Sequence, residues 1–343
     1  MPADAENKNR GKRGARVGDK RVGDKRDKGT KVVVYVALAS NVLIALAKFG
    51  AGILTGSSSL LAEGAHSTGD TFNEVFLLIS LSLSDNPPDE EHPFGHGKDR
   101  FFWSFLAAVF IFFASALFSF YEGYGKIFGS GKGDESFLPG YVVLGVSAVI
   151  EGSSLFVSTR EVRRTAKEEG RSFRDELRLT RNTTVKLPVF EDSAALIGLL
   201  FAATGLVLTQ LTGNRIFDGL GSIAIGVLLC ILAWLIGTDS RDLLLDESMV
   251  PEDRERIRAA IESFPEVAGV NRLLTMHLGP NSALVTADVH VVNELTTDQI
   301  EGLIHNVNAA IQRATPEAKS ARIFLELHAE PQASRRREAT GHP

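Results

Sequence analysis

A single cysteine, Cys230, stands in 343 residues, and no second one is present to close a disulfide with it. That excludes a disulfide-stapled scaffold and a cage of cysteine thiolates around zinc. Any metal this chain holds must therefore be held by imidazole and carboxylate. The N-terminal residues Met1 to Lys31 lack the apolar core and small-residue cleavage site of a signal peptide, and they mix acids with their bases. They carry a short repeat, RVGDK at Arg16–Lys20 and VGDK at Val22–Lys25, and are expected to form a disordered basic tail over 1–31. Membrane topology accounts for that basic charge, so no nucleic-acid partner is expected.

What the chain has in abundance is apolar length. Charged residues make up 23% of the whole, an average that dilutes a very apolar middle with two polar ends. Six stretches stand out: Val32–Leu54, Ser59–Leu83, Phe101–Tyr121, Leu138–Ser158, Leu187–Gln210 and Ile216–Ile236. Each is close to the roughly 20 residues that cross a bilayer as a helix. The spacing predicts an all-α transmembrane domain of six spans over 32–240, followed by a small α+β domain over 241–331 and a disordered tail over 332–343. Lys and Arg gather in the N-terminal tail and in the loops Asp85–Arg100 and Arg160–Lys186, which puts both termini on the cytosolic side. Composition and the absence of a recognisable address lean toward a prokaryotic plasma membrane.

Two of the spans carry more than one acid. The second carries Glu63, His66, Asp70 and Glu74, at steps of three, four and four that keep all four on one stripe of a helix. The fifth carries Glu191 and Asp192 just inside its start, and the fourth carries Glu151. A charged side chain in the middle of a lipid-facing helix costs about 2.5–3.5 kcal/mol even on a lenient scale, so the stripe must face inward, and an intramembrane cluster of this kind reads as an ion site. Glu63 and Glu74 lie nearer the helix ends than His66 and Asp70.

After the second span, Asp89, His92 and His96 stand at spacings that let one turn gather three ligands, with Gly95 and Gly97 supplying backbone freedom. Beyond about Asp242 the pattern is helix, strand, strand, helix, strand, an αββαβ open-faced sandwich with both helices on one side of the sheet. Pro251 opens the first helix, and Thr296 with Gln299 forms a capping box for the second. On the other sheet face, Asp288 and His290 share one strand and Glu326, His328 and Glu330 another, with His277 near the end of the first strand. Three histidines with acids between them suggest a second metal-binding surface. No covalent chemistry is called for, so the chain is not read as an enzyme.

The motifs LAEGAHSTGD at Leu61–Asp70, Pro88-Asp89, HPFGHGK at His92–Lys98, Asp192, Asp218 and LLLD at Leu243–Asp246 together resemble the cation diffusion facilitator family of zinc transporters. The resemblance runs from about Val32 to Pro331. Phe101–Trp103, Tyr121-Glu122-Gly123 and EDSAA at Glu191–Ala195 are similar to the branch related to zinc transporter nine. It implies a homodimer, formed through a metallochaperone-like cytosolic domain and the third span, that exchanges a divalent metal for protons. The family's tetrahedral transport site would draw His66 and Asp70 from the second span and Asp192 from the fifth. The position four before Asp192 is Pro188, which cannot be a ligand, so the fourth place falls to Glu191, Glu151 or water. The resemblance further implies a loop site at Asp89, His92 and His96, a cytosolic site with His328 and Glu330, where Asn271 stands in place of a histidine, and a Lys98–Asp246 ion pair bridging the two domains. One imidazole with two or three carboxylates suits Zn2+ and tolerates Co2+, Fe2+ or Mn2+. Two other readings are a passive cation channel and a membrane-anchored metal sensor acting through its cytosolic domain.

Overall fold

The computed structural model describes residues 38–84, 86–129, 137–168, 170–179, 183–280, 282–315 and 317–329. Both predicted tails, the first residues of the first span, and Glu330 lie outside the described residues. Helix α1 (Leu38–Thr55) is followed by α2 (Ser58–Ser84), then by α3 (Asp99–Phe110), a π-helical stretch Ile111–Ala116 and α4 (Leu117–Phe128), which together make one span. Next come α5 (Leu138–Glu168), a short α6 (Phe173–Leu179), α7 (Thr183–Thr212) and α8 (Ile216–Leu244). Among the described residues, five helices are long and apolar enough to cross a membrane. The remaining expected span, α2, is a 27-residue helix, about 40 Å long. Its polar stripe lowers its hydropathy, which is why it does not stand with the other five on composition.

The chain forms two compact units that cut across these helices. The first gathers the described residues up to Ile79 with Val109–Gly152 and Ser193–Ala233. Small residues let its backbones approach closely, as expected where lipid gives no hydrophobic drive between helices. On α4, a methyl group at Gly123 would lie 2.8 Å from the Gly219 carbonyl oxygen, and one at Gly219 on α8 would lie 2.9 Å from the Gly123 carbonyl oxygen. Ser222 donates to the Ser119 carbonyl oxygen across the same pair of helices at 2.7 Å. The π-helical stretch is fastened by Ser115, whose hydroxyl donates to the Ala65 carbonyl of α2 at 2.8 Å.

The second unit holds Ser80–Ala108, Ser153–Asp192 and the chain from Trp234 onward. Its largest part is an αββαβ layer. Helix α9 (Pro251–Glu262) begins with Pro251 in its first turn. Strands β1 (Val267–Gly279) and β2 (Ser282–Val291) pair antiparallel, α10 (Thr297–Ala314) crosses over, and β3 (Arg322–Ala329) pairs parallel with β2. The capping box at Thr296 and Gln299 is present in full. Ile257 and Ile261 of α9 and Leu303, Val307 and Ile311 of α10 are buried against Val285, Ala287 and Val289, so both helices cover one face of the sheet. Period-2 alternation puts Leu284, Thr286, Asp288 and His290 on the other face.

Candidate metal centres

Polar groups of α1 meet the stripe on α2. Lys48, wholly buried, donates to the Glu63 carboxylate at 2.9 Å and to the Ser67 hydroxyl at 2.8 Å. Its ammonium also lies 3.9 Å from Glu151 of α5. Seven residues earlier on α1, the Asn41 amide donates to Glu74 at 3.0 Å. The two acids at the ends of the stripe are thus met by polar groups of α1, and the middle is left to His66 and Asp70. His66 is 1% exposed, and its Nε2 lies 3.4 Å from an Asp70 carboxylate oxygen. Neither ring nitrogen makes an aligned hydrogen bond among the described residues. A buried imidazole in that condition, beside a carboxylate one helical turn away, has the donor set of half a zinc site.

Asp192 sits on α7, which continues as a helix through Pro188. It is 9% exposed, and one of its oxygens accepts from Ser154 and Ser158 of α5, each at 2.9 Å. These two serines, one turn apart, leave the second oxygen of the carboxylate to other partners. Glu191 is half-buried beside it in sequence. Glu151, a candidate for the fourth ligand, faces the Lys48 ammonium.

The loop before α3 brings its three expected residues together. Ligand atoms of Asp89, His92 and His96 all lie within 4.8 Å of one another, a grouping that could hold a metal ion. The Asp89 carboxylate accepts from the His92 amide at 2.6 Å, which closes the turn, and from His96 Nε2 at 3.1 Å. Gly95 supports the turn with φ of 90°. The His92 amide, and then the His96 side chain, hold the Asp89 carboxyl below its ordinary value. The other ring nitrogen of His96, Nδ1, lies 3.5 Å from Asp99, so the imidazole is oriented from both sides. Lys98 pairs with Asp246, which takes a left-handed φ of 64°.

On the open sheet face, His290 and His328 are register partners on β2 and β3, with ring centroids 5.9 Å apart. His328 Nε2 lies 3.2 Å from Asp288 and 3.4 Å from Glu326. Asn271 donates to the other Asp288 oxygen at 2.7 Å, so it joins the cluster as a second-layer partner of the carboxylate. His277 does not join this cluster. It pairs with Ala283, a core residue of β2, and is wholly buried on the helix-covered face. The register of β1 shifts between Val270 and Arg272, and each such irregularity resets which face a residue addresses.

Two residues that contact the candidate sites have no motif to mark them in the sequence. Lys48 was visible only as a lone cation inside the first apolar run, and Asp99 as one more acid at a helix start.

An apolar helical domain with buried ionisable groups, followed by an αββαβ domain, defines a multi-pass membrane protein. The Cation efflux transmembrane domain matches residues 34–245 and the Cation efflux protein cytoplasmic domain matches 249–328. The chain belongs to the cation efflux, or cation diffusion facilitator, family, which is a family of transporters rather than enzymes. It is 35% identical over 79% of its length to the mouse protein named proton-coupled zinc antiporter SLC30A9, mitochondrial, covering 47% of that protein. It is 32% identical over 77% of its length to metal tolerance protein C4 of Arabidopsis thaliana, covering 57%. With the manganese efflux system protein MneP of Bacillus subtilis it shares 22% identity over 88% of this chain and 97% of that one. The chain thus spans about half the length of the mouse and plant relatives.

Proposed function

We propose that this protein moves a divalent metal cation, Zn2+ foremost, out of the cytosol in exchange for protons, by alternating access around an intramembrane site. The His66–Asp70 pair, with its imidazole buried, carries the reading. Its chemistry requires that metal and proton compete for the same atoms, because imidazole and carboxylate bind metal only when deprotonated. Imidazole is also the side chain whose ordinary titration range spans cellular pH, which suits His66 as a carrier of the coupled proton. The mouse relative's name as a proton-coupled zinc antiporter supports the same exchange.

His66, Asp70 and Asp192 are the assigned ligands. With Pro188 unable to serve and Glu151 facing Lys48, the fourth place falls to Glu191 or water. No thiolate is present to exclude Co2+, Fe2+ or Mn2+, and the Bacillus relative is named for manganese. The loop group Asp89, His92 and His96 and the sheet-face group Asp288, His290 and His328 are regulatory or structural metal sites, and Lys98–Asp246 ties the loop to the chain before α9. Both termini are cytosolic, and two copies pair through the cytoplasmic domain and the third span. The plasma-membrane expectation finds no support in the mouse relative, whose name places it in mitochondria.

The test is zinc-driven proton movement in proteoliposomes, with wild type, Asp70→Asn and Asp192→Asn compared across imposed pH gradients. Saturable exchange lost in both variants is the expected result. Metal flux indifferent to the pH gradient would overturn proton coupling and favour a passive channel.

A further inference from the structure

Among the described residues Lys48 is one of the largest fully buried side chains. A cation at that depth is expensive, so the groups around it must be arranged to receive a positive charge. They are all oxygens: a Glu63 carboxylate oxygen at 2.9 Å, the Ser67 hydroxyl at 2.8 Å, and a Glu151 oxygen at 3.9 Å. Carboxylates and a hydroxyl are the donor set of a hard divalent cation such as Mn2+ or Ca2+, with no nitrogen or sulfur among them. The other Glu63 oxygen is buried and makes no hydrogen bond among the described residues. It is pressed toward Gly198 of α7, where an added methyl group would collide with it. This oxygen lies about one helical turn from His66 on the same stripe.

We propose that Lys48 is a resident cation of the transport path: its ammonium fills an oxygen-lined position, formed by Glu63, Ser67 and Glu151, that would otherwise take a second metal ion, and so confines the transported ion to the neighbouring His66–Asp70 pair. The inference rests on the transport reading above for the role of that pair, but the position itself is defined by Lys48 and its three neighbours. A single positive charge between two carboxylates leaves the position with a net negative charge, which a dication can relieve only by displacing the lysine. The lysine is tethered covalently and cannot leave, so the position admits no exchange.

The experiment counts Mn2+ bound to the full chain in lipid nanodiscs, by the electron paramagnetic resonance signal of the free ion. Lys48→Met is expected to bind one more equivalent than wild type. Lys48→Met combined with Glu63→Gln is expected to return to the wild-type number, and Lys48→Arg to keep it. Unchanged binding by a folded Lys48→Met would overturn the proposal and leave Lys48 a purely structural tie. Should Lys48→Met not fold, Glu63→Gln with the lysine intact gives an independent reading. An ammonium deprived of its partner should weaken Zn2+ binding at the pair by about tenfold, and unchanged affinity would overturn the proposal. Repeating the count in an Asp70→Asn background separates the two readings. The extra, Glu63-dependent equivalent persists there whether or not His66 and Asp70 are the transport ligands.

Discussion

Asp218 of α8 caps α2: one of its carboxylate oxygens accepts the Ser58 backbone amide at 2.7 Å. The same carboxylate takes the Ser59 amide and the hydroxyls of Ser57, Ser58 and Ser59, and Lys126 stands 3.7 Å away. A helix start buried in an apolar setting has orphan amides that water cannot reach, and here a side chain from another helix satisfies them. The charge also suits the positive end of the α2 dipole. Because α2 carries His66 and Asp70, the cap fixes the height of the proposed site along the helix. Asp218→Ala is expected to cost about 2–3 kcal/mol, the scale of leaving buried donors unmade, and to lower the unfolding midpoint in detergent. A midpoint equal to wild type would show that the amides find another acceptor.

Ser154 and Ser158 both donate to one oxygen of Asp192. If that carboxylate is a transport ligand, the serines aim it. Replacing both with Ala should weaken metal affinity or transport by about 10–100-fold while leaving the fold intact, the usual scale for partners of metal ligands. Zn2+ uptake measured beside a melting curve checks this, and a parallel fall in both would mean that the serines only pack.

Asp89 gives a pH prediction for the loop. Its carboxyl is held below the ordinary value of 3.8, first by the His92 amide and then by the His96 side chain. A depressed carboxylate contributes to its native arrangement at any pH above the ordinary value, and that contribution is lost as pH falls through the depressed one. The turn in metal-free protein should therefore persist at pH 5 and open only in stronger acid. His96→Ala should move the Asp89 titration, followed by carboxyl carbon resonances, upward. An unmoved titration would show that the His96 contact is absent in solution.

Asp253 has the opposite sign. Burial raises its carboxyl above 3.8, and Arg171 and Arg256, at 3.7 and 3.2 Å, pull it part of the way back. A raised acid favours the native state while protonated and costs stability as pH climbs from the ordinary value through the raised one. Removing Arg171 takes away a compensating cation, so Arg171→Ala should lower the unfolding midpoint more at pH 7 than at pH 4. Equal losses at both pH values would assign Arg171 to packing alone.

Much of this was legible in the residues. Thr296 and Gln299 announced their helix because a capping box is a local rule, and the αββαβ order followed from alternation and the 3.6-residue period. His66 and Asp70 were legible because i, i+4 spacing survives any packing. What local patterns could not carry was the set of contacts between helices. The partnership of Lys48 with Glu63 spans 15 residues and that of Asp218 with Ser58 spans 160, and neither leaves a periodic trace. His277 was placed on the open face because counting by twos ignores a shift of register. The π-helical stretch Ile111–Ala116, with its Ser115 contact to α2, leaves no periodic trace either.

The close approach of α4 and α8 has a mechanical meaning. Where Gly123 and Gly219 face each other's carbonyls with no room for a methyl group, the helices are geared together, and sliding one along the other by a single residue would drive side chains such as Ile223 and Ile127 into backbone. The two helices form a strut. If the proposed rocking exposes His66 first to one side of the membrane and then to the other, it must carry the Gly123 and Gly219 stretches of α4 and α8 together.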